Sequence, residues 1–84
     1  LPEHPRGMEE FLRYAISSLV EFPNEAVIKK TETPSRIGFF VTAPASDIPK
    51  IIGKSGHTIR ALRTLLTASA RRRGLSASIE IIEP

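Results

Sequence analysis

The stretch Ile51-Ile52-Gly53-Lys54-Ser55-Gly56-His57-Thr58-Ile59 decides the fold. Two glycines enclose Lys54 and Ser55, with aliphatic residues on either side. Glycine adopts backbone conformations closed to other residues and lets another chain come close. The pattern predicts a tight turn between two helices, opening at the N-terminus of the second. Such a terminus offers free N–H groups and the positive end of a dipole, which suit a phosphate. Lys54 adds a mobile positive charge. A bare Gly-x-x-Gly is most often an ordinary turn. Gly53-Lys54-Ser55 also matches the end of a P-loop, but that loop needs a further glycine at position 48, where the chain has Ile. The nucleotide-binding reading is set aside on that ground.

The longer pattern is more specific: two aliphatic residues, Gly-Lys-x-Gly, two residues, then an aliphatic one. It resembles the signature of the KH domain, a module that binds single-stranded nucleic acid and clamps a short run of backbone with its GxxG loop. Ala43-Pro44 before the loop and Ala61-Leu62-Arg63-Thr64-Leu65-Leu66 after it extend the likeness. Together they resemble the small bacterial single-KH-domain RNA-binding proteins of the KhpA (YlqC-like) family. The resemblance covers about Met8 to Glu83 and is strongest from Val41 to Leu66. It implies an α+β fold of the type II KH-like kind: a three-stranded sheet with three helices on one face, in the order α-β-β-α-α-β. It also implies a cytoplasmic protein that binds single-stranded RNA, as an RNA chaperone or post-transcriptional regulator. Such proteins act as a homodimer or as a heterodimer with a Jag/KhpB-type KH protein.

Composition sets independent bounds. A chain of 84 residues is one small domain with a single modest core, and two α/β layers are about its limit. There is no cysteine, so there is neither a disulfide framework nor a thiolate metal site. No apolar run approaches membrane-spanning length. His4 and His57 are the only histidines and lie far apart in sequence. No metal, cofactor, small-molecule substrate or membrane is expected. The formal charge of +3 hides an asymmetry. Residues 1–47 carry 5 basic and 7 acidic side chains, and residues 48–84 carry 7 basic and 2 acidic ones. The basic half contains the glycine loop, and a local positive field attracts polyanions. Arg71-Arg72-Arg73 contribute to that field, or merely complement a helix C-terminus. The basic half holds no paired carboxylates, nucleophile–base set or metal cluster, so an enzyme is not expected. A DNA-reading helix-turn-helix would need polar residues at the start of its second helix, and His57-Thr58-Ile59-Arg60 offers little beyond Arg60.

Residues 1–7, with two prolines and a glycine, are expected to be a disordered extension or an expression remnant, and 8–84 the KH domain. Apolar residues at 8, 11, 12, 15, 16, 19 and 20 follow a helical period, which Pro23 ends. Tyr14 is expected at the rim of that helix. Residues 26–32 and 36–43 read as a hairpin with Thr33-Pro34-Ser35 as its turn. Ile37, Phe39, Val41 and Ala43 should face the core, and Phe40 the other way. Ser46 is the expected N-cap of a short helix over 47–52, with Pro49 in its first turn. The following helix should run from Gly56 or His57 to Arg73. Ile59, Leu62, Leu66 and Ala70 form its core stripe, broadened by Leu65 and Ala68, and Gly74 is its stop signal. Residues 75–83 read as a last strand.

The resemblance assigns a groove beside the short helix and its loop. The backbone from Gly53 to Gly56 would meet the sugar-phosphate chain. Lys54 would pair with phosphate, and Ser55 could donate a hydrogen bond. Ile48 and Ile51 would floor the groove unless they are core, while Ile52 and Ile59 are expected in the core. Lys50, Arg60 and Arg63 are candidate flanking phosphate contacts. His57 departs from the family, which usually has a fixed positive residue there, so weaker or slightly pH-dependent binding is expected. No aromatic stacking platform accompanies the loop. The competing reading is a KH-fold interaction or dimerisation module with little RNA binding of its own, hinted at by Phe40 and the apolar helix after the loop.

Overall fold

A computed structural model describes residues 7–83. The extension expected at residues 1–7 falls outside the described residues except for Gly7. Three helices, α1 (Met8–Leu19), α2 (Ile48–Ile52) and α3 (His57–Arg71), accompany three strands, β1 (Val27–Glu32), β2 (Arg36–Thr42) and β3 (Ser76–Ile82). The chain order is the α-β-β-α-α-β expected from the sequence. The sheet order is β1-β2-β3, with β1 antiparallel and β3 parallel to β2.

The alternation of β2 holds: Ile37, Phe39, Val41 and Ala43 are buried. Register places Ile28 beside Val41, and Ile79 beside Phe39. Met8, Leu12 and Ile16 of α1 and Ile59, Leu62, Leu66 and Ala70 of α3 join the same core. Burial of a side chain such as Phe39 stabilises by about 2–3 kcal/mol. The helices therefore cover one face of the sheet. Phe40 lies on the other face and is half-buried. Its ring reaches back over Gly38, close to where that residue's Cβ would stand.

Helix α1 stops at Leu19, and Pro23 opens a single 3-10 turn over Pro23–Glu25. Helix α3 ends two residues before Arg73. The Leu75 amide reaches back to the Ala70 carbonyl and the Gly74 amide to that of Arg71, with Gly74 at φ +74°. That is a Schellman closure, in which glycine takes the left-handed position. Leu65 and Ala68 do not broaden the core stripe. They sit on the exposed side of α3, and Leu65 is 54% exposed.

The N-terminus of α2 differs from expectation. Ser46 does not cap it; Asp47 occupies the cap position, and its side chain makes no capping bond to the amides of its own helix. The Asp47 carboxylate is instead fully buried. It accepts the Glu21 amide at Oδ1 and the Phe22 amide at Oδ2, both at 3.0 Å. Lys50 Nζ lies 3.4 Å from Asp47 Oδ1 and 3.4 Å from Glu21 Oε1. Burial alone would raise the Asp47 pKa, but the two amides and the Lys50 ammonium outweigh it and hold the carboxyl below its ordinary value. Burial likewise opposes the charge on Lys50, yet Asp47 and Glu21 hold its pKa above the ordinary value.

A depressed carboxyl pKa stabilises the fold above the unfolded-state value and ceases to do so as pH falls through the folded-state value. Asp47 therefore contributes fully above about pH 4 and progressively less below it. Asp47→Asn can satisfy only one of the two amides, because its NH2 group donates. Thermal unfolding at pH 7 is expected to show a melting temperature lower by roughly 5 °C, with Asp47→Ala lower still. The gap between wild type and Asp47→Asn should narrow as pH is taken from 5 to 3. A gap independent of pH would remove the carboxylate from this account.

Candidate nucleic-acid interface

Helix α2 and helix α3 meet at the glycine loop, and the loop is shaped by steric need. Gly53 ends α2 at φ +78°, ψ 172°, a region essentially reserved for glycine. A Cβ there would overlap the Thr58 side chain, with Thr58 Cβ at 2.6 Å and the Thr58 amide at 2.9 Å. Lys54–Gly56 form one 3-10 turn, in which Ser55 takes a left-handed conformation at φ 56°. Gly56 follows at φ +74°, with open space where a Cβ would stand, apart from the tip of Arg60 at 3.6 Å. Arg60 Nη2 donates to the Ser55 carbonyl at 2.8 Å. Lys54, Ser55 and His57 are exposed, at the N-terminal end of α3.

The sequence-selected residues thus divide. Gly53, Lys54, Ser55, Gly56, His57 and Arg60 form one continuous surface. Arg60 braces the loop backbone, so its guanidinium is partly engaged. Ile48 and Ile51 are buried, at 5% and 0% exposure, and belong to the core instead of a groove floor. Ile59 is core as expected, with one edge on the neighbouring surface, while the half-buried Ile52, also expected in the core, borders the concavity between α3 and β3. Helix α2 turns its 48/51 face to the core, and Ile52, one residue further on, falls at the edge of that face. Lys50 is held between Asp47 and Glu21, which compensate its charge.

Arg63 stands apart from the loop, at the middle of a groove between α3 and β3. One concavity of about 490 Å³ is lined by Ile52, Ile59, Arg63 and residues 80–83. A second, of about 180 Å³, is lined by Arg63, Leu66, Thr67, Ala77, Ser78 and Ile79. Arg63 borders both. Its Nη2 lies 3.5 Å from the Ile79 carbonyl, which therefore faces away from β2. Strand β3 is the last in the sheet, so among the described residues its outer edge has no strand partner. Alternate residues of a strand direct their backbone groups to the same side. The N–H and C=O of Ile81 accordingly face the groove. Sequence reasoning missed this edge, because an unpaired strand edge is a property of sheet order. It also missed Asp47, whose partners lie 25 and 26 residues away. Among the described residues there is no cluster of three metal-ligating side chains, and no helix is long and apolar enough to cross a membrane.

A family model described as the KH domain of KhpA/KhpB matches residues 9–81. The RNA-binding protein KhpA of Chlamydia trachomatis serovar D is 43% identical over 76 residues, covering 90% of this chain and 97% of that protein. Its counterpart in Chlamydia pneumoniae is 45% identical over the same shares. The RNA-binding protein KhpA of Listeria monocytogenes serovar 1/2a is 32% identical over 76 residues, covering 90% of this chain and all of that protein. No solved structure matches the chain significantly.

The two glycines are not equivalent. Gly53→Ala meets both a forbidden backbone region and the Thr58 side chain, and is expected to cost about 2–3 kcal/mol in urea unfolding. Gly56→Ala meets only the left-handed strain, about 1–2 kcal/mol. Equal losses at the two positions would contradict the packing of Thr58 against Gly53.

Proposed function

Because the chain belongs to the family of KhpA/KhpB KH domains, we propose that it binds single-stranded RNA. The phosphate backbone lies against the Gly53–Gly56 loop and the bases lie in the groove between α3 and β3. The observation that carries this reading is the loop itself: four residues whose backbone is held open by two glycines, with Lys54 unpaired among the described residues, between Ile52 and Ile59, which line the groove. Charge supports the orientation. Lys54, Arg60 and Arg63 stand on the helix side, while Glu80 and Glu83 stand on the strand side. Phosphates are drawn to the first, and the base edges are left to meet the second and the free backbone of Ile81. The relatives' names, RNA-binding protein KhpA, support the same polymer. On this reading its role is that of an RNA chaperone or post-transcriptional regulator.

Affinity is expected to be modest. The site offers no aromatic stacking platform, and with three or four phosphate contacts the salt slope of log affinity should be about −2 to −3. Fluorescence anisotropy of a labelled single-stranded RNA tests the reading. The double variant Lys54→Asp, Ser55→Asp keeps both glycines and places two negative charges against the phosphate. It is expected to lose binding with its unfolding curve unchanged. Equal binding by wild type and variant would reduce the loop to a turn.

Assembly is the second part of the reading. One domain grips about four nucleotides, so a homodimer or a heterodimer with a second KH protein raises affinity through effective concentration. The surface that supports it is on α3. Ala61, Leu65 and Ala68 share its exposed side, a large apolar residue between two small ones, suited to a close helix contact. It also favours the alternative in which assembly is the main task and RNA binding is slight. Leu65→Glu is expected to shift the sedimenting species from twice 9.3 kDa to 9.3 kDa with no loss of thermal stability. An unchanged mass distribution would put any interface elsewhere, with the half-buried Phe40 face of the sheet the next place to look.

A further inference from the structure

The three consecutive arginines at the end of α3 do not share a direction. At about 100° per residue, Arg60, Arg63, Thr67 and Arg71 fall within one sector of about 80° on α3. Arg63 and Thr67 line the groove, so Arg71 continues that wall beyond its last lining residue. Arg72 projects on the side of Leu65. Arg73 borders a separate cleft with Glu9, Glu10 and Glu32 near the start of α1. Of the three, Arg71 alone shares the sector of the groove-lining residues. It is exposed, and no carboxylate lies within ion-pair distance of it among the described residues. Helix α3 therefore carries cations at both ends of the groove wall it forms: Lys54 just before its start and Arg71 at its finish, with Arg63 in the groove lining between them.

We propose that Arg71 is a second phosphate contact at the end of the groove opposite the glycine loop. The inference rests on the RNA-binding reading of that loop. Fourteen residues of helix separate His57 from Arg71, a rise of about 21 Å at about 1.5 Å per residue. A tetranucleotide has three linking phosphates and hence two backbone steps between its outermost ones. Even at twice the stacked rise of about 3.4 Å per nucleotide, two steps span about 14 Å. RNA long enough to engage both ends must exceed four nucleotides, so the domain's footprint is set by the length of α3 and not by the loop alone.

The test compares random-sequence RNAs of four and eight nucleotides by chemical-shift titration of the whole chain. Eight nucleotides offer a four-nucleotide site five registers, so counting alone gives a gain of about fivefold. Wild type is expected to exceed this, at about twentyfold or more, through the extra charged contact. Arg71→Ala should fall back to about fivefold while binding the tetranucleotide as wild type does. Its salt slope on the octanucleotide should be shallower by about 0.7. Arg71→Lys should retain most of the gain, because a point charge suffices for a phosphate. The inference is overturned if Arg71→Ala weakens both lengths equally or neither. It is also overturned if its only effect is a lower melting temperature, as a helix C-terminal charge acting on the dipole would give. The loop variant Lys54→Asp, Ser55→Asp separates the two ideas. If it binds both RNAs like wild type, the loop reading fails and this inference falls with it. If it loses both while Arg71→Ala behaves as wild type, only the far contact is lost.

Discussion

The Asp47 carboxylate is the tie on which the arrangement depends. It sits at the start of α2 yet spends both oxygens on the corner between α1 and β1. An unpaired buried carboxylate is strongly unfavourable, and a pair of unpaired amides is little better. Each satisfies the other here, and Lys50 completes the set. The two ends of the contact lie on opposite sides of the β hairpin in sequence. Closing it fixes where the short helix begins relative to the first. A helix of five residues cannot hold itself in water. It is positioned by this carboxylate at one end and by Ile48 and Ile51 in the core along its length. The glycine loop is the next thing in the chain, so its place on the surface is inherited from a contact made on the inside.

Much of this was legible in the sequence, for identifiable reasons. The alternation of Ile37, Phe39, Val41 and Ala43 and the helical period from Met8 to Ile16 are local signals, and both survive in the structure. The glycine spacing revealed the loop because backbone conformation there is a local demand. What failed was two-sided. Leu65 and Ala68 continue an apolar pattern that only tertiary packing divides into a buried and an exposed half. The isoleucines of α2 are chemically alike, so sequence could not say that Ile48 and Ile51 are core while Ile52 borders the groove. The Ser46 cap was a reasonable local choice. It lost to a neighbouring aspartate whose partners are supplied from far along the chain.

The charged residues show a comparable division of labour. Lys50, read as a ligand for phosphate, is committed to the interior tie. Arg60 braces the Ser55 carbonyl and holds the loop in its left-handed turn. Positive charge in the basic half therefore serves three ends: internal compensation, support of the loop, and an open surface represented by Lys54 and Arg63. A net charge alone does not distinguish these, and the mild excess seen in composition overstates what is free for a polyanion.

The two outer strands of the sheet are protected differently. On β1, Lys30 and Glu32 point to the helix side, where Lys30 meets Glu9 and Glu32. Charges set inward on an edge discourage another strand from joining it. Strand β3 has Ala77, Ile79 and Ile81 in the equivalent positions, and among the described residues its outer edge has no strand partner, with only the Ile79 carbonyl met by a side chain, that of Arg63. The opening that lets a ligand reach the Ile81 backbone is thus also the place where strands of separate molecules could add to one another. Occupancy of the groove is then a matter of solubility as well as of recognition: with the groove filled, the edge left is that of β1, where inward charges already discourage pairing.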